Sequence, residues 1–538
     1  MIAQHHTKYF SIIFFTGAVV LSLELLASRI MTPFFGVSLY IWTSILSVTL
    51  IFLAIGYQFG GWITSKIAPK YYKELFLFIP FVSSIFIIIS SIAYPILLPG
   101  LINQNLLLGS FIASSLLLAI PLVLMSSLNP ILISIIKDED DESSDSKSGF
   151  VLFVSTIGSV FGVIFTALVL IPNLTNFSSF ILNAVFLTIY NLIIYFLIGF
   201  NSFEKLKKLF LFFNLILCIF LLTFFYFKES FLNQFTSTKD KQNNENVILY
   251  EKPSFYGNYK VVGRKLFNQN EITQYMLYQN GTMQNGMDSS GHSIFEFAQV
   301  LDALSQLSTI GNALVLGLGV GVLPEQLSSK GFKVDAVDID PITLDIAKNF
   351  FKYEPKNTSF FFEDARTYVK KCKKKYDLII IDLFFADGVP EHLTTKEFYK
   401  NLDNCLNDNG VVLSNSLMDF SNELALNSVL STFNNQFDDL HFFHIPAAEI
   451  SNLYIIAGKN GTSKRVQGFN VSLDFIPKGI KPTVIQVLRN AKKFKKEDFN
   501  DQNILYDEKN QFSIIFAKIL PKYRKLVTSL VPSRILIN

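Results

Sequence analysis

Seven apolar stretches, at roughly 9–30, 41–63, 75–99, 106–136, 150–171, 178–200 and 209–227, constrain this chain more than any other feature of it. Crossing the hydrocarbon core of a bilayer takes about 20 apolar residues as a helix, so each stretch reads as a transmembrane span. Only 21 of the 89 Lys, Arg, Asp and Glu residues lie in the first 230 positions of the 538. That imbalance excludes a uniformly soluble or disordered chain. Domains are expected at 1–230 (a membrane bundle of about seven helices), 246–290 (a small β-meander), 291–470 (a Rossmann-like α/β unit) and 471–538 (a basic tail). The first span has no small-residue cleavage site behind it, so it is not a signal peptide.

Within the spans, Gly56/Gly60 and Gly158/Gly162 have the small-xxx-small spacing that lets helices approach closely. Glu24 and Arg29 are ionisable groups at or near membrane depth, where such groups are costly. Snorkelling by Arg29 and a bond from Glu24 to a neighbouring helix are the favoured reading. The basic loops (Lys66, Lys70, Lys73; Lys137, Lys147; Lys205, Lys207, Lys208) fall on the side of Lys8. The positive-inside rule puts that side in the cytoplasm, and seven crossings then leave the second half outside. Cytosolic chemistry in that half needs one segment, in the 106–136 region, to stop short of crossing.

The second half changes pattern. NVILYE, NYKVVGRK and TQYMLYQN, with the hairpin signal Asn280-Gly281, predict the meander. Strands at 313–319, 333–340, 359–364, 376–383 and 410–416 then alternate with helices near 322–330, 341–351, 365–372 and 395–406. Such alternation predicts a parallel sheet covered on both faces, with ligands at the carboxyl ends of its strands. The three cysteines (Cys218, Cys372, Cys405) fit neither a disulfide framework nor a zinc site, so no metal is expected. A net charge of +3 gives no argument for a nucleic-acid partner.

The strand ends carry the chemistry. Gly317, Gly319 and Gly321 let the backbone turn tightly and approach a ligand at a helix start. Asp338 ends the second strand, placed to accept both ribose hydroxyls of a nucleoside. Asp364 and Ala365 follow the third, within reach of an adenine amino group. Together they point to an adenosine-type ligand. Asp382 ends the fourth strand, facing the reactive end of that ligand. An amine attacking a sulfonium compound must lose a proton, and a carboxylate there binds the ammonium and takes the proton.

The segments LGLGVGVLPEQL, VDAVDIDPITLDIAKNFF, FEDARTYV, YDLIIIDLFFADGVPEHLTTKEFY and LNDNGVVLSNS resemble the spermidine synthase (polyamine aminopropyltransferase) family. The stretches LELLASRIMTPFFGVSLYIWTSILS and GYQFGGWI are similar to the version fused to a multi-spanning membrane domain. The resemblance implies Asp382 as proton acceptor, Gly317, Gly319, Gly321, Asp338, Asp364 and Ala365 around the cofactor, and Gln284 and Asp387 at the substrate. It implies decarboxylated S-adenosylmethionine as co-substrate, a small amine as acceptor, the bilayer as a partner and a homodimer as an assembly. Three positions depart from the family: Val320 stands where it has an aspartate in the glycine loop, Phe385 where it has a second aspartate after the catalytic one, and Gly257 ends its Ser-x-Tyr-Gln motif. Losing the loop aspartate removes a repulsion against the carboxylate of intact S-adenosylmethionine. A methyltransferase on an unknown acceptor, and a transporter or sensor with a non-catalytic adenosyl-binding domain, therefore stand beside the aminopropyltransferase.

Overall fold

A computed structural model describes every residue except 1–2, 37–38, 103–104, 140–143, 199–203, 384–389, 438, 447, 459–460, 469–472, 474–475, 496, 498–500 and 517–518. The chain forms two compact units: residues 1–240 with 252–258 and 524–538, and residues 241–251 with 259–523.

Among the described residues, the first unit holds seven helices long and apolar enough to cross a membrane. They are α1 (Ala3–Phe35), α2 (Leu39–Lys66), α3 (Tyr72–Leu101), α4 (Leu106–Glu139), α5 (Ser144–Phe165), α6 (Asn176–Ile198) and α7 (Glu204–Phe235). Helix α4 runs unbroken through Pro121 and Pro130 for 34 residues. At 1.5 Å per residue that is about 50 Å, more than a hydrocarbon core of roughly 30 Å requires. Neither proline ends it, and the helix is long enough to cross.

The glycine pairs sit at helix crossings. A Cβ on Gly56 would overlap Ser126 Oγ and the Val123 carbonyl, and one on Gly60 the Ser127 carbonyl and the Pro130 ring. Along α1 and α5, a Cβ on Gly158 would overlap the Phe14 carbonyl, and one on Gly162 the Ala18 carbonyl. Backbones this close leave no room for a side chain.

Of the tail's described cations, Lys492, Lys493, Lys495, Lys522 and Lys525 are exposed, whereas Arg524 and Arg534 are buried. Arg524 is buried and donates to the Pro33 carbonyl at 3.1 Å, neutralising the carbonyl end of α1. Buried Arg534 donates to Glu229 Oε2 at 2.5 Å and to Asn233 Oδ1 at 3.2 Å on α7. The Asn538 carbonyl accepts from Phe177 N–H in the first turn of α6, at 2.7 Å. Arg29 reaches the Phe255 carbonyl at 2.6 Å. Arg524 and the Asn538 carbonyl thus satisfy backbone groups at the ends of α1 and α6.

After the helices comes a four-stranded meander in the order β1 (Glu245–Ser254), β2 (Gly257–Lys265), β3 (Gln274–Gln279) and β4 (Thr282–Asp288), with β2, β3 and β4 paired antiparallel. Helix α8 (Glu296–Ser305) follows. The main sheet then alternates with helices: β5 (Asn312–Leu316), α9 (Val322–Ser329), β6 (Lys333–Asp338), α10 (Ile342–Phe350), β7 (Thr358–Phe362), α11 (Ala365–Lys370), β8 (Tyr376–Ile381), α12 (Lys396–Cys405) and β9 (Leu406–Asp419). Beyond β9 come α13 (Glu423–Gln436), β10 (Asp439–Phe443), β11 (Ile450–Gly458), α14 (Thr462–Gln467), α15 (Lys481–Arg489) and β12 (Lys492–Lys493). The sheet order is β12-β10-β11-β9-β8-β5-β6-β7. Strands β5 to β9 pair in parallel, and β10, β11 and β12 add an antiparallel edge. Val315, Leu378, Ile380, Leu413 and Ile456 on one face, and Leu316, Ile379, Ile381, Val412 and Ile455 on the other, are buried in two separate cores.

Adding one methyl separates glycines at helix crossings from those that face open space. Gly60→Ala should lower the melting temperature of the detergent-solubilised protein by several degrees. Gly61→Ala, whose Cβ meets nothing within 4 Å, should leave it unchanged.

Candidate functional site

Strand order reverses at β5: the chain runs from β5 to β6 on one side, and β8 lies on the other. Ligands of open α/β sheets bind at such a switch point. At its carboxyl end the β5–α9 turn carries three glycines with positive φ: Gly317 at 97°, Gly319 at 55° and Gly321 at 83°. The first and last are also fixed by space, because a Cβ on Gly317 would overlap the Asp382 carbonyl, and one on Gly321 would stand 2.7 Å from the Tyr353 ring. Gly319 faces open space, with nothing within 4 Å of a Cβ. The loop is thus a glycine-lined concavity, opening at the N-terminus of the eight-residue helix α9.

Asp338 closes one side of this concavity. Its Oδ2 accepts Leu318 N–H and its Oδ1 accepts Asp340 N–H, both at 2.9 Å. Burial pushes the carboxyl up to about 6, although those backbone bonds favour its charged form. The ion is therefore held in one orientation at the end of β6, each oxygen keeping a lone pair for a ribose hydroxyl.

Asp364 stands differently. It is the N-cap of α11, accepting Thr367 N–H at 2.9 Å, and its other oxygen meets His392 Nε2 at 3.0 Å. Burial alone would raise its pKa, but the bonds from His392 and Thr367 win and hold the carboxyl below its ordinary value. Both oxygens have protein partners, so Asp364 anchors the His392 segment as well as the end of β7. Ala365 is buried behind it.

Asp382 lies one residue past β8, beside the glycine loop, its own N–H bonded to the Leu316 carbonyl at 2.9 Å. Burial raises its carboxyl to about 6, against a lowering hydrogen bond from Asn415 Nδ2 at 2.9 Å. Sequence reasoning missed Asn415. Its signal was a polar Ser-Asn-Ser inside the apolar strand β9, which gains meaning only when register sets Asn415 beside Asp382. The structure thus brings Gly317 and Asp382 into contact and ties Asp338 to Leu318 of the same loop. Gln284 is on β4, partly exposed, and among the described residues no bond joins it to the strand-end carboxylates. Asp387 and Phe385 lie outside the described residues.

Val320 is fully buried in a cluster with Tyr259, Val261, Leu277 and Ile342, so the loop presses an apolar side chain against the meander. Among the described residues no group of three or more His, Cys, Asp or Glu side chains forms a metal site.

Residues 304–465 match the spermine/spermidine synthase domain. The polyamine aminopropyltransferase of Vibrio vulnificus is 34% identical over 139 residues, which are 25% of this chain and 46% of that protein. The N-terminal histidine N-methyltransferase of Emericella nidulans is 36% identical over 130 residues, 23% of each chain. The chain spans about half the length of the aminopropyltransferases it matches. The solved spermidine synthase of Thermotoga maritima shares 15% identity, with a TM-score of 0.35 over 46% of this chain and 85% of that one.

Removing the Asn415 amide takes away the bond that favours ionised Asp382. Asn415→Leu should therefore move the acidic limb of the pH–rate profile upward from about pH 6, with little change in affinity for the adenosyl ligand.

Proposed function

We propose that the spermine/spermidine synthase domain transfers an alkyl group, in the first place aminopropyl, from an S-adenosyl sulfonium to a small amine. The carrying observation is Asp382: a carboxylate raised to about 6, beside the glycine loop at the sheet's switch point. The co-substrate fits the chain's own residues: Gly319 leaves room for it, the Asp338 carboxylate takes the ribose, and the end of β7 at Asp364 and Ala365 borders the base. With decarboxylated S-adenosylmethionine, the amine nitrogen bonds to the aminopropyl carbon next to sulfur while that carbon–sulfur bond breaks. The bonding pair returns to sulfur, giving neutral methylthioadenosine, and the amine proton passes to Asp382. An ammonium donor near pKa 10 and a base near 6 leave the ionised carboxylate in place at neutral pH, where it holds the cation before reaction.

A second reading has one observation behind it. Val320 buries a methyl-bearing side chain where the resemblance places an anion, so nothing at that position repels the carboxylate of intact S-adenosylmethionine. The same site then delivers a methyl group. We place the seven helices in a bilayer with the transferase unit on the cytoplasmic side, where sulfonium substrates are made. The loop charges argue for the opposite side, and a reporter fused after residue 240 decides between them.

Asp382→Asn should lower turnover at least ~100-fold, the usual contribution of a positioned base, with adenosyl binding kept. Its effect on stability has the opposite sign. An acid whose pKa rises on folding costs stability as pH climbs from its unfolded value, ~3.9, through about 6. The variant should therefore melt no lower than the parent at pH 8. Equal turnover by parent and variant would remove Asp382 from the mechanism.

A further inference from the structure

Cysteine spacing along the chain gives no disulfide framework, yet the fold brings two of the three cysteines together at the foot of the main sheet. Cys372 follows α11 and precedes β8, and Cys405 ends α12 just before β9. Those strands pair where they begin, Tyr376 on β8 with Leu406 on β9. One oxygen serves both cysteines: the Val369 carbonyl accepts the Cys372 N–H at 3.3 Å and the Cys405 thiol at 3.4 Å. The two thiols are also within hydrogen-bonding reach of each other. Both stand close enough to the Tyr368 phenol to disfavour its ionisation. Each is a free thiol. Their surroundings differ. Cys405 is fully buried in the core under the sheet, whereas Cys372 is partly exposed and packs against that core.

We propose that Cys372 and Cys405 form a reversible disulfide, made by a peroxide, that staples the end of α11 to the end of α12. Five exposed lysines, at 370, 371, 373, 374 and 375, flank Cys372, and partly exposed thiols in positively charged surroundings are the ones that react. Hydrogen peroxide oxidises the Cys372 thiol to a sulfenic acid as its O–O bond breaks and one water leaves. The Cys405 thiol then gives up its proton and its sulfur attacks that of Cys372. The S–S bond forms, the S–O bond breaks and a second water leaves. Two thiols thus lose two electrons and two protons, and one peroxide becomes two waters. Until that step Cys405 stays protonated, because burial and then the neighbouring Cys372 thiol push it up. Lys375, whose ammonium donates to the Asn404 carbonyl at 2.6 Å, opposes them and favours the thiolate. The staple is separate from the transfer site. It lies at the amino end of β8, and Asp382 follows the carboxyl end of that six-residue strand, about 20 Å away at ~3.3 Å per residue. The ring it closes contains β8, Asp382 and α12, and it restricts the unfolded chain more than the folded one.

The test treats the full chain in detergent with hydrogen peroxide, alkylates the remaining free thiols, and reads the digested peptides by mass spectrometry beside a melting curve. The expected product is a peptide pair joined through Cys372 and Cys405, two hydrogens lighter than the separate thiols and released by dithiothreitol. The oxidised protein should melt several degrees above the reduced one, and dithiothreitol should reverse the rise. Cys372→Ser changes a partly exposed position and should melt as the reduced parent does, with neither the bridge nor the rise after peroxide. Both thiols alkylated after peroxide would overturn the pair. So would Cys372 carried on to the sulfinic acid with Cys405 untouched, or a bridge from either residue to Cys218 or to a second copy of the chain. A Cys372–Cys405 bridge with no rise in melting temperature overturns the staple.

Discussion

The site depends on a backbone contact that only glycine permits. The Cα of Gly317 rests against the carbonyl of Asp382, with no room for a Cβ, and its φ of 97° is one that other residues rarely hold. The contact sets the end of β5 against the end of β8, and so fixes the distance between the glycine loop and the Asp382 carboxylate. The Leu316–Asp382 backbone bond locks the same register. Asp338 holds the far side of the loop through Leu318 N–H. The glycine loop and the Asp382 carboxylate are thus two sides of one turn.

That geometry has an electrostatic consequence. Asp338 and Asp382 are both raised to about 6 by burial, yet differ in what steadies them. Asp338 takes two backbone N–H groups and stays ionised as a fixed acceptor for hydroxyls. Asp382 takes a single side-chain amide, which leaves an oxygen free to receive a proton. Two carboxylates raised by the same burial thus differ in their hydrogen-bond partners.

Much of this was legible in the sequence, because the signals were local. The strand–helix alternation from 313 to 416 and the glycine turn rest on periodicity and on residues that only special backbone conformations need. The crossings at Gly56, Gly60, Gly158 and Gly162 rest on spacing within one helix. What was missed needs contacts distant in sequence. Arg524 gives no sign of its role until it meets the carbonyl end of α1, 491 residues away. Asn415 reads as a polar interruption of a buried strand until strand pairing sets it beside Asp382. Asp364 looked like a base contact, and its capping of α11 and its His392 partner appear only in three dimensions.

The account stands on the identity of the group that moves. The direct measurement is mass spectrometry of an amine acceptor after incubation of the purified full chain with decarboxylated and intact S-adenosylmethionine in separate reactions. A gain of one aminopropyl group from the decarboxylated compound, with one methylthioadenosine released per product, is the predicted result. No modified amine from either compound, in protein that binds both, would contradict it.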